Sequence, residues 1–488
     1  TAARRTAARE AARAWAAGAG VRRAAARAKA APAKAPKAAR RRPARRRAPA
    51  EAPEASRTAK RTSQFIESRA KGKNIQGFTG LREFIESLSR PRMIILFVKS
   101  GRPVDDVIES LAGMLEKGDV IIDCGNSHFR DSDRRFAELG KRGIRFLGVG
   151  VSGGEEGALK GPSMMFGGDF SAYIEAENKI GRAAALFENS RCSGYFGDGG
   201  AGHFVKIVHN GIEYAVMQAI AEVYDYLWRG IGMSSGEVGS VFEEWGEGLL
   251  RSFLLEAAAR VLKHLDPETG KPLVELIVDV AEQKGTGRWA VEAALELGVS
   301  IPTIAAAVDE RTLTTQRTLR NPTTQKVSNS ERRAGEALDT ARDALLATIT
   351  LSYIQGISLL EAGSRIYGFR VPEALRVWRA GCIIRSRLVE ELYRELSWSP
   401  GEPAATALEK SHNQLEELLP SWVQFISHAS GLRIPTPASM SALSYYLSLR
   451  SERLPANLIQ GIRDYFGRHM FRRVDRDGYF HSDWGRGQ

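Results

Sequence analysis

Three short apolar runs between residues 93 and 150 constrain this chain more than any other feature. Met93–Val98, Asp119–Asp123 and Arg145–Gly150 are each too short for a helix core. The first is bounded by Pro91 and Gly101, as expected for a strand buried on both faces. Helix-like segments Thr62–Ala70 and Gly80–Ser89 precede them, and Val104–Glu116 and Ser132–Lys141 separate them. Strands alternating with helices in this way predict an α/β unit with a doubly wound parallel sheet. After about residue 200 the pattern changes. Long helical stretches run to about residue 450 with few strand signals, which predicts a large all-helical domain. Residues 454–488 are rich in Arg, Tyr, Phe, His and Gly and read as a tail that docks on something.

At 488 residues the chain exceeds what one ordinary core supports, so two or three folded units are expected. No run of about 18 apolar residues occurs, so no membrane span is implied. The three cysteines, Cys124, Cys192 and Cys382, are scattered and odd in number, which argues for a reducing compartment. There is no HExxH and no paired CxxC, so no metal site is expected. The net charge of +13 points towards nucleic acid, but its distribution does not. Residues 1–50 hold 16 Lys and Arg and one acid, Glu10, whereas the rest of the chain carries 54 basic and 56 acidic side chains. The folded body therefore needs no polyanionic partner. Residues 1–55, nearly all Ala, Arg, Lys and Pro, should be disordered. Three readings of this segment stand: an organelle import peptide, against which its lack of Ser counts; a nucleic-acid-binding arm; or a sequence artefact, since the chain begins at Thr1.

Four segments carry candidate chemistry. In Gly202–Tyr224, Lys206, Asn210 and Glu213 fall on one side of a helix, with His209 and Tyr214 beside them. The rest of that helix is apolar, so it should be buried, with its polar stripe lining a cavity. Lys206 and Glu213, two turns apart, suit a base and an acid at opposite ends of a small substrate, since a desolvated lysine gives up its proton more readily. A solvated stripe is the competing reading. The second segment, Gly148–Gly168, follows a strand and is rich in glycine. Ser152, Gly153 and Gly154 are its candidates for contact with an anion or a planar ring. In the third, Asp123–Asp131, Asn126 stands just past a strand end, where doubly wound sheets bind ligands. In Gln283–Trp289, Lys284 and Thr286 suit a phosphate.

Together and in this order, these segments resemble 6-phosphogluconate dehydrogenases. The resemblance rests on IIDCGNSHFRD, VSGGEEGALKGPSMMFGG, GAGHFVKIVHNGIEY, QKGTGRW, WRAGCIIRS and LIQGIRDYFGRH, and covers roughly Ser56 to the C-terminus. It implies an NADP-dependent oxidative decarboxylase of the pentose phosphate pathway, located in the cytoplasm. Lys206 matches that family's general base and Glu213 its acid. Asn126, Ser152, Gly153, Gly154, His209 and Asn210 match positions that hold the sugar acid. Tyr214, Lys284, Thr286 and Arg311 match contacts to the substrate phosphate. Arg463 and His469 match contacts supplied by the tail of the second subunit, which implies a homodimer. Ser56-Arg57-Thr58, read as standing after a second strand, with Val98-Lys99-Ser100 and Asn126, match the NADP side. The implied organisation is a disordered segment over 1–55, an incomplete Rossmann-like NADP-binding domain over 56–199, an all-helical substrate and dimerisation domain over 200–453 and the tail over 454–488.

The match departs from the family at its start. The family opens with a strand, a GxGxxG turn, a helix and a second strand, and the turn cradles the pyrophosphate. Gly18-Ala19-Gly20 has no strand before it and is no substitute. A sheet without its usual first strand should expose an apolar edge. The runner-up reading is therefore a non-catalytic or truncated relative that keeps the helical dimer and binds NADP poorly. A tail-driven nucleic-acid binder is the third reading, and it predicts affinity that collapses with salt.

Overall fold

The computed structural model describes residues 53–320, 334–399 and 401–485. Up to residue 52, the segment expected to be disordered lies outside them. The described chain divides into two compact units. One runs to Lys206 and includes Leu360–Cys382; the other comprises Ile207–Leu359 and the residues from Ile383 on.

The first unit begins with helices α1 (Pro53–Ser68) and α2 (Leu81–Glu86). It continues with β1 (Met93–Leu96), α3 (Arg102–Ala112), β2 (Val120–Asp123), α4 (Phe129–Gly140), β3 (Arg145–Ser152), α5 (Gly154–Lys160), β4 (Ser163–Gly168) and α6 (Phe170–Lys179). Short strands β5 (Leu186–Phe187), β6 (Ser190–Arg191) and β7 (Ser193–Tyr195) follow. The main sheet has the order β1-β2-β3-β4-β7. β1, β2 and β3 are parallel, but β4 runs antiparallel to β3, so the sheet is mixed rather than wholly parallel. The cause is the short link: a parallel return needs a crossover of a dozen or more residues, and only α5 and its turns separate β3 from β4. The glycine-rich stretch 148–168 is therefore a strand, a short helix and a strand, not a loop.

Strand alternation sorts the core onto two faces. Val120, Ile122, Leu147, Val149, Met164 and Phe166 pack on one side with Ala172 and Ala176 of α6. Ile94, Leu96, Ile121 and Phe146 pack on the other with Val104, Leu111 and Leu139 of α3 and α4. β1 is the edge strand among the described residues. Ile95 is 41% exposed and Phe97, just beyond the strand, 71%, so the expected apolar edge is present. Ser56, Arg57 and Thr58 lie within α1; the strand expected before them would fall outside the described residues.

The helix α7 (Ala201–Asp225) starts in the first unit and passes into the second after Lys206. The second unit is built from α8 (Ser235–Trp245), α9 (Phe253–Lys263), α10 (Thr286–Leu297), α11 (Pro302–Thr315) and most of α12 (Ala334–Tyr367). The end of α12 and α13 (Val371–Trp378) belong to the first unit. Helices α14 (Arg387–Ser397), α15 (Pro403–Gly431), α16 (Pro437–Arg450) and α17 (Ala456–Gly467) complete the second. One helix, Gly335–Tyr367, is long and apolar enough by length and composition to cross a membrane, contrary to the sequence reading, but 89% of its most apolar window is buried within the protein. Three of its hydroxyls are satisfied from within: Thr348, Thr350 and Ser352 donate to carbonyls one turn earlier. That is the arrangement of a core helix.

Glu222 on α7 is buried, and its two oxygens accept hydrogen bonds from the amides of Ala438 (2.7 Å) and Ser439 (3.0 Å) at the start of α16. These are helix-end N–H groups with no partner inside the helix. Burial pushes the Glu222 carboxyl up to about 7, despite the donors that favour its charge. Glu222→Ala would strand both amides, at about 1–3 kcal/mol for each buried unsatisfied group. Calorimetry should show a lowered Tm, with Glu222→Gln less affected because one acceptor remains.

Candidate active site

In the first unit, the carboxyl ends of three parallel strands lie side by side. The register pairs Leu96 with Asp123 and Asp123 with Gly148, and β3 runs on to Ser152. Val98-Lys99-Ser100 leave β1, Cys124-Gly125-Asn126 leave β2, and Ser152-Gly153-Gly154 turn from β3 into α5. Ligands of such sheets bind at this end. The first two loops are tightly apposed: the Cys124 amide donates to the Leu96 carbonyl (3.0 Å), and a Cβ on Gly125 would stand 3.0 Å from the Val98 carbonyl.

The β2 loop, which carries Asn126, is held from beneath by buried polar groups. Asp123 accepts from the Gly125 amide (3.0 Å), the Ser127 hydroxyl (2.6 Å) and Arg135 Nη1 (3.2 Å). Arg135, itself buried, also donates to Asp105 (2.8 Å) and to the Gly101 carbonyl (3.1 Å), so the buried ion pair is fully hydrogen-bonded. His203 on α7 holds the same loop from the other side. Its Nε2 donates to the Gly125 carbonyl (3.1 Å) and its Nδ1 faces the Ser132 hydroxyl at 2.6 Å. Burial, with a contribution from Arg135, pushes the imidazole below its ordinary range. The ring is therefore neutral near pH 7. Because a carbonyl can only accept, the proton sits on Nε2, and the Ser132 hydroxyl donates to Nδ1.

Lys206 is 5% exposed, and glycines put it there. A Cβ on Gly150 of β3 would lie 2.4 Å from Lys206 Cβ, and one on Gly202 would lie 2.2 Å from the Met165 carbonyl. The start of α7 thus rests directly on β3 and β4, with Lys206 against Gly150, two residues before Ser152. In the glycine-rich stretch the sequence reading chose Ser152, Gly153 and Gly154 for anion contact; the glycines before them act differently. Gly148 and Gly150 lie in β3, and their missing side chains admit a helix. For the same reason, Gly148-Val149-Gly150-Val151-Ser152-Gly153 spells GxGxxG in letters only: the first two glycines are paired in a strand, not folded in a strand-to-helix turn.

Further along α7, the expected polar stripe is buried rather than solvated. Asn210 is 6% exposed and the Glu213 side chain 17%. Lys206 and Glu213 share a helix face at a separation of about 10 Å along the axis. His209 Nδ1 lies 3.1 Å from Asn210 Oδ1 and 3.7 Å from Glu213 Oε2. In the same unit the Arg311 guanidinium stacks over the Tyr214 ring, 3.6 Å from its centroid, and Tyr214 fits against Gly287, where a Cβ would meet the ring at 2.5 Å. Thr286 and Gly287 open α10, with Thr286 buried and Lys284 exposed just before it. Tyr214 thus touches both Arg311 and the start of α10. Arg463 and His469 are exposed at the end of α17.

A model of the NAD binding domain of 6-phosphogluconate dehydrogenase matches residues 53–197, and a model of the 6-phosphogluconate dehydrogenase C-terminal domain matches residues 202–484. The chain belongs to the 6-phosphogluconate dehydrogenase family. It is 44% identical to the decarboxylating 6-phosphogluconate dehydrogenase of Synechococcus elongatus, over 88% of this chain and 93% of that relative. It is 41% identical to the NADP(+)-dependent, decarboxylating enzyme of Bacillus subtilis, over the same shares of each. Plasmodium falciparum 6-phosphogluconate dehydrogenase, solved in its apo form and in complex with NADP+ and with 6-phosphogluconate, superposes with a TM-score of 0.82 at 36% identity, covering 88% of this chain and 94% of that one.

The sequence reading named side chains on the helix and the loops as candidates. It missed Asp123, Arg135 and His203, which hold those loops in place. Gly150→Ala tests the packing directly. The added methyl collides with Lys206 Cβ, so the lysine must shift, and a misplacement of about 1 Å can cost about 100-fold in rate. The expected outcome is a lowered kcat with the protein still folded. For His203, a depressed pKa means that the unfolded chain takes up a proton the native ring refuses. Stability should then fall as pH drops through about 6.5, and His203→Gln should flatten that part of a Tm-against-pH curve.

Proposed function

We propose that this protein is an NADP-dependent enzyme that oxidatively decarboxylates 6-phosphogluconate to ribulose 5-phosphate and CO2. The observation that carries the reading is the buried stripe of α7, with Lys206 and Glu213 spaced across a small substrate, on a chain similar over most of its length to decarboxylating dehydrogenases. NADP, when bound, supplies the acceptor for the hydride of the substrate's 3-hydroxyl carbon. Val98, Lys99, Ser100 and Asn126, on the loops past β1 and β2, would hold it, and the tight apposition of those loops at Gly125 and Val98 suits a planar ring. Ser56, Arg57 and Thr58 are the further candidates for the cofactor side.

Lys206 takes the proton of the 3-hydroxyl as oxidation proceeds. A base requires the uncharged form of the lysine. In the 3-keto acid, the bond to the carboxylate breaks and its electron pair moves towards the ketone oxygen, which Lys206 reprotonates. Glu213 then gives a proton to the carbon that lost CO2 while Lys206 takes back the proton of the enol oxygen, which leaves the neutral ketone. Ser152, Gly153, Gly154, Asn126, His209 and Asn210 would orient the sugar acid. Tyr214, Lys284, Thr286 and Arg311 would hold the phosphate.

The reading includes a homodimer in which Arg463 and His469 complete the partner's phosphate site. Support comes from α17, which exposes Leu458, Ile459, Ile462 and Phe466, an apolar face that a partner could cover. It also includes a cytoplasmic location. The second reading, a relative that does not turn over, is favoured by the open edge of β1.

NADPH formation from 6-phosphogluconate, followed by absorbance, separates the two. The wild type should be active, and Lys206→Met and Glu213→Gln should each lose about 100- to 10,000-fold in kcat. A dimeric protein that binds 6-phosphogluconate in a calorimeter but forms no NADPH would establish the second reading.

A further inference from the structure

Helix α17 is inverted relative to an ordinary amphipathic helix. Its apolar residues Leu458, Ile459, Ile462 and Phe466 are exposed, and across residues 451–470 the one buried residue is a carboxylate, Asp464. A buried charge persists only with partners, and those of Asp464 all come from the chain beyond the helix. The Met470 amide donates to it at 2.8 Å, His481 Nδ1 at 2.9 Å, the Ser482 amide at 3.1 Å and Trp484 Nε1 at 2.7 Å. Burial alone would raise this carboxyl; the donors from His481, Trp484, Ser482 and Met470 outweigh burial and hold it well below the usual carboxylate range. The tail closes on itself around this anchor, with Phe471 and Phe480 exchanging backbone hydrogen bonds of 2.8 Å.

The segment between the helix end and the first of these ties is very short and contains His469. On either side of it the backbone is left-handed, with φ of 54° at Arg468 and 61° at Met470. Residues other than glycine adopt this conformation at a cost, and keep it where surrounding contacts fix it. The contacts at Met470 are its amide on Asp464 and its carbonyl, which accepts from Gln460 Nε2. Between these strained residues the His469 ring packs edge-on to Phe466 (5.9 Å) and against Gly467, where a Cβ would stand 2.6 Å from its Nε2.

We infer that Asp464 is a positioning residue that sets the placement of His469 and Arg463 by drawing residues 470–484 back onto α17. This rests on the substrate role proposed above for those two side chains. Apolar packing alone would have tethered a tail; a buried, four-donor carboxylate fixes one geometry.

The test uses the full chain and compares Asp464→Asn, Trp484→Phe and the double variant with Arg463→Ala and His469→Ala. The readouts are the Kd of 6-phosphogluconate and of NADP by titration calorimetry, the KM and kcat, and the dimer by sedimentation. Asp464→Asn should weaken 6-phosphogluconate binding by about tenfold or more, with NADP binding and kcat changed by less than about twofold. Trp484→Phe, which removes a single donor and leaves the fold intact, should weaken it severalfold. The double variant should be no worse than Asp464→Asn, because both act through one contact. The inference is overturned if Arg463→Ala and His469→Ala weaken substrate binding while Asp464→Asn and Trp484→Phe do not. It is also overturned if Asp464→Asn weakens both ligands equally or abolishes the dimer. If Arg463→Ala and His469→Ala themselves leave 6-phosphogluconate binding unchanged, the substrate role assigned to the tail is what fails.

Discussion

The first turns of α7 touch the sheet with almost nothing between, and the proposed chemistry depends on that contact. A helix normally stands off a sheet by the thickness of two layers of side chains. Here Gly150 and Gly202 remove those layers, so Lys206 is delivered to the carboxyl end of β3 without reaching across a gap. The same helix carries His203 into the loop beneath Asn126. One rigid element thereby sets both the proposed base and the loop proposed to orient its substrate. Farther along, the same helix carries Glu213.

Much of this was legible in the sequence, and what escaped has physical causes. The strands β1, β2 and β3 follow from apolar runs bounded by breakers, and the buried stripe of α7 follows from a helix with apolar residues nearly all round. The direction of β4 did not, because glycines depress strand propensity and hid this strand within 148–168. Ser152, Gly153 and Gly154 of that stretch suggested anion contact, whereas Gly148 and Gly150 act sterically, on His203 and Lys206 of α7. His203 acts on a backbone carbonyl 78 residues distant, and no local pattern announces such a pairing. Asp464 lies on a helix whose composition would place the leucine and isoleucines inside and the aspartate outside, so amphipathic reasoning points the wrong way.

The two halves of the proposed site are stabilised by the same device. Asp123 gathers an amide, a hydroxyl and a guanidinium beneath the β2 loop, and Asp464 gathers two amides, an imidazole and an indole inside the tail. In each case a buried carboxylate with saturated hydrogen bonds directs a short segment that bears a candidate substrate contact. Such centres contribute little net stability compared with apolar packing, but they tolerate few alternative geometries.

The long helix α12 has a consequence for synthesis. Its buried partners lie on both sides of it in the chain: Gln355 bonds Thr303 and Gly356 packs on Ile212, whereas Tyr353 donates to the Ile384 carbonyl and Thr348 bonds Ser439. As the polypeptide leaves the ribosome, a segment apolar enough for a bilayer is therefore complete before the later part of its cover exists. During that interval it is a substrate for chaperones, for misrouting to a membrane or for aggregation. The chain reduces this exposure by having the helix's own hydroxyls bond within it, and the second unit can close only after α14 to α16 have been made.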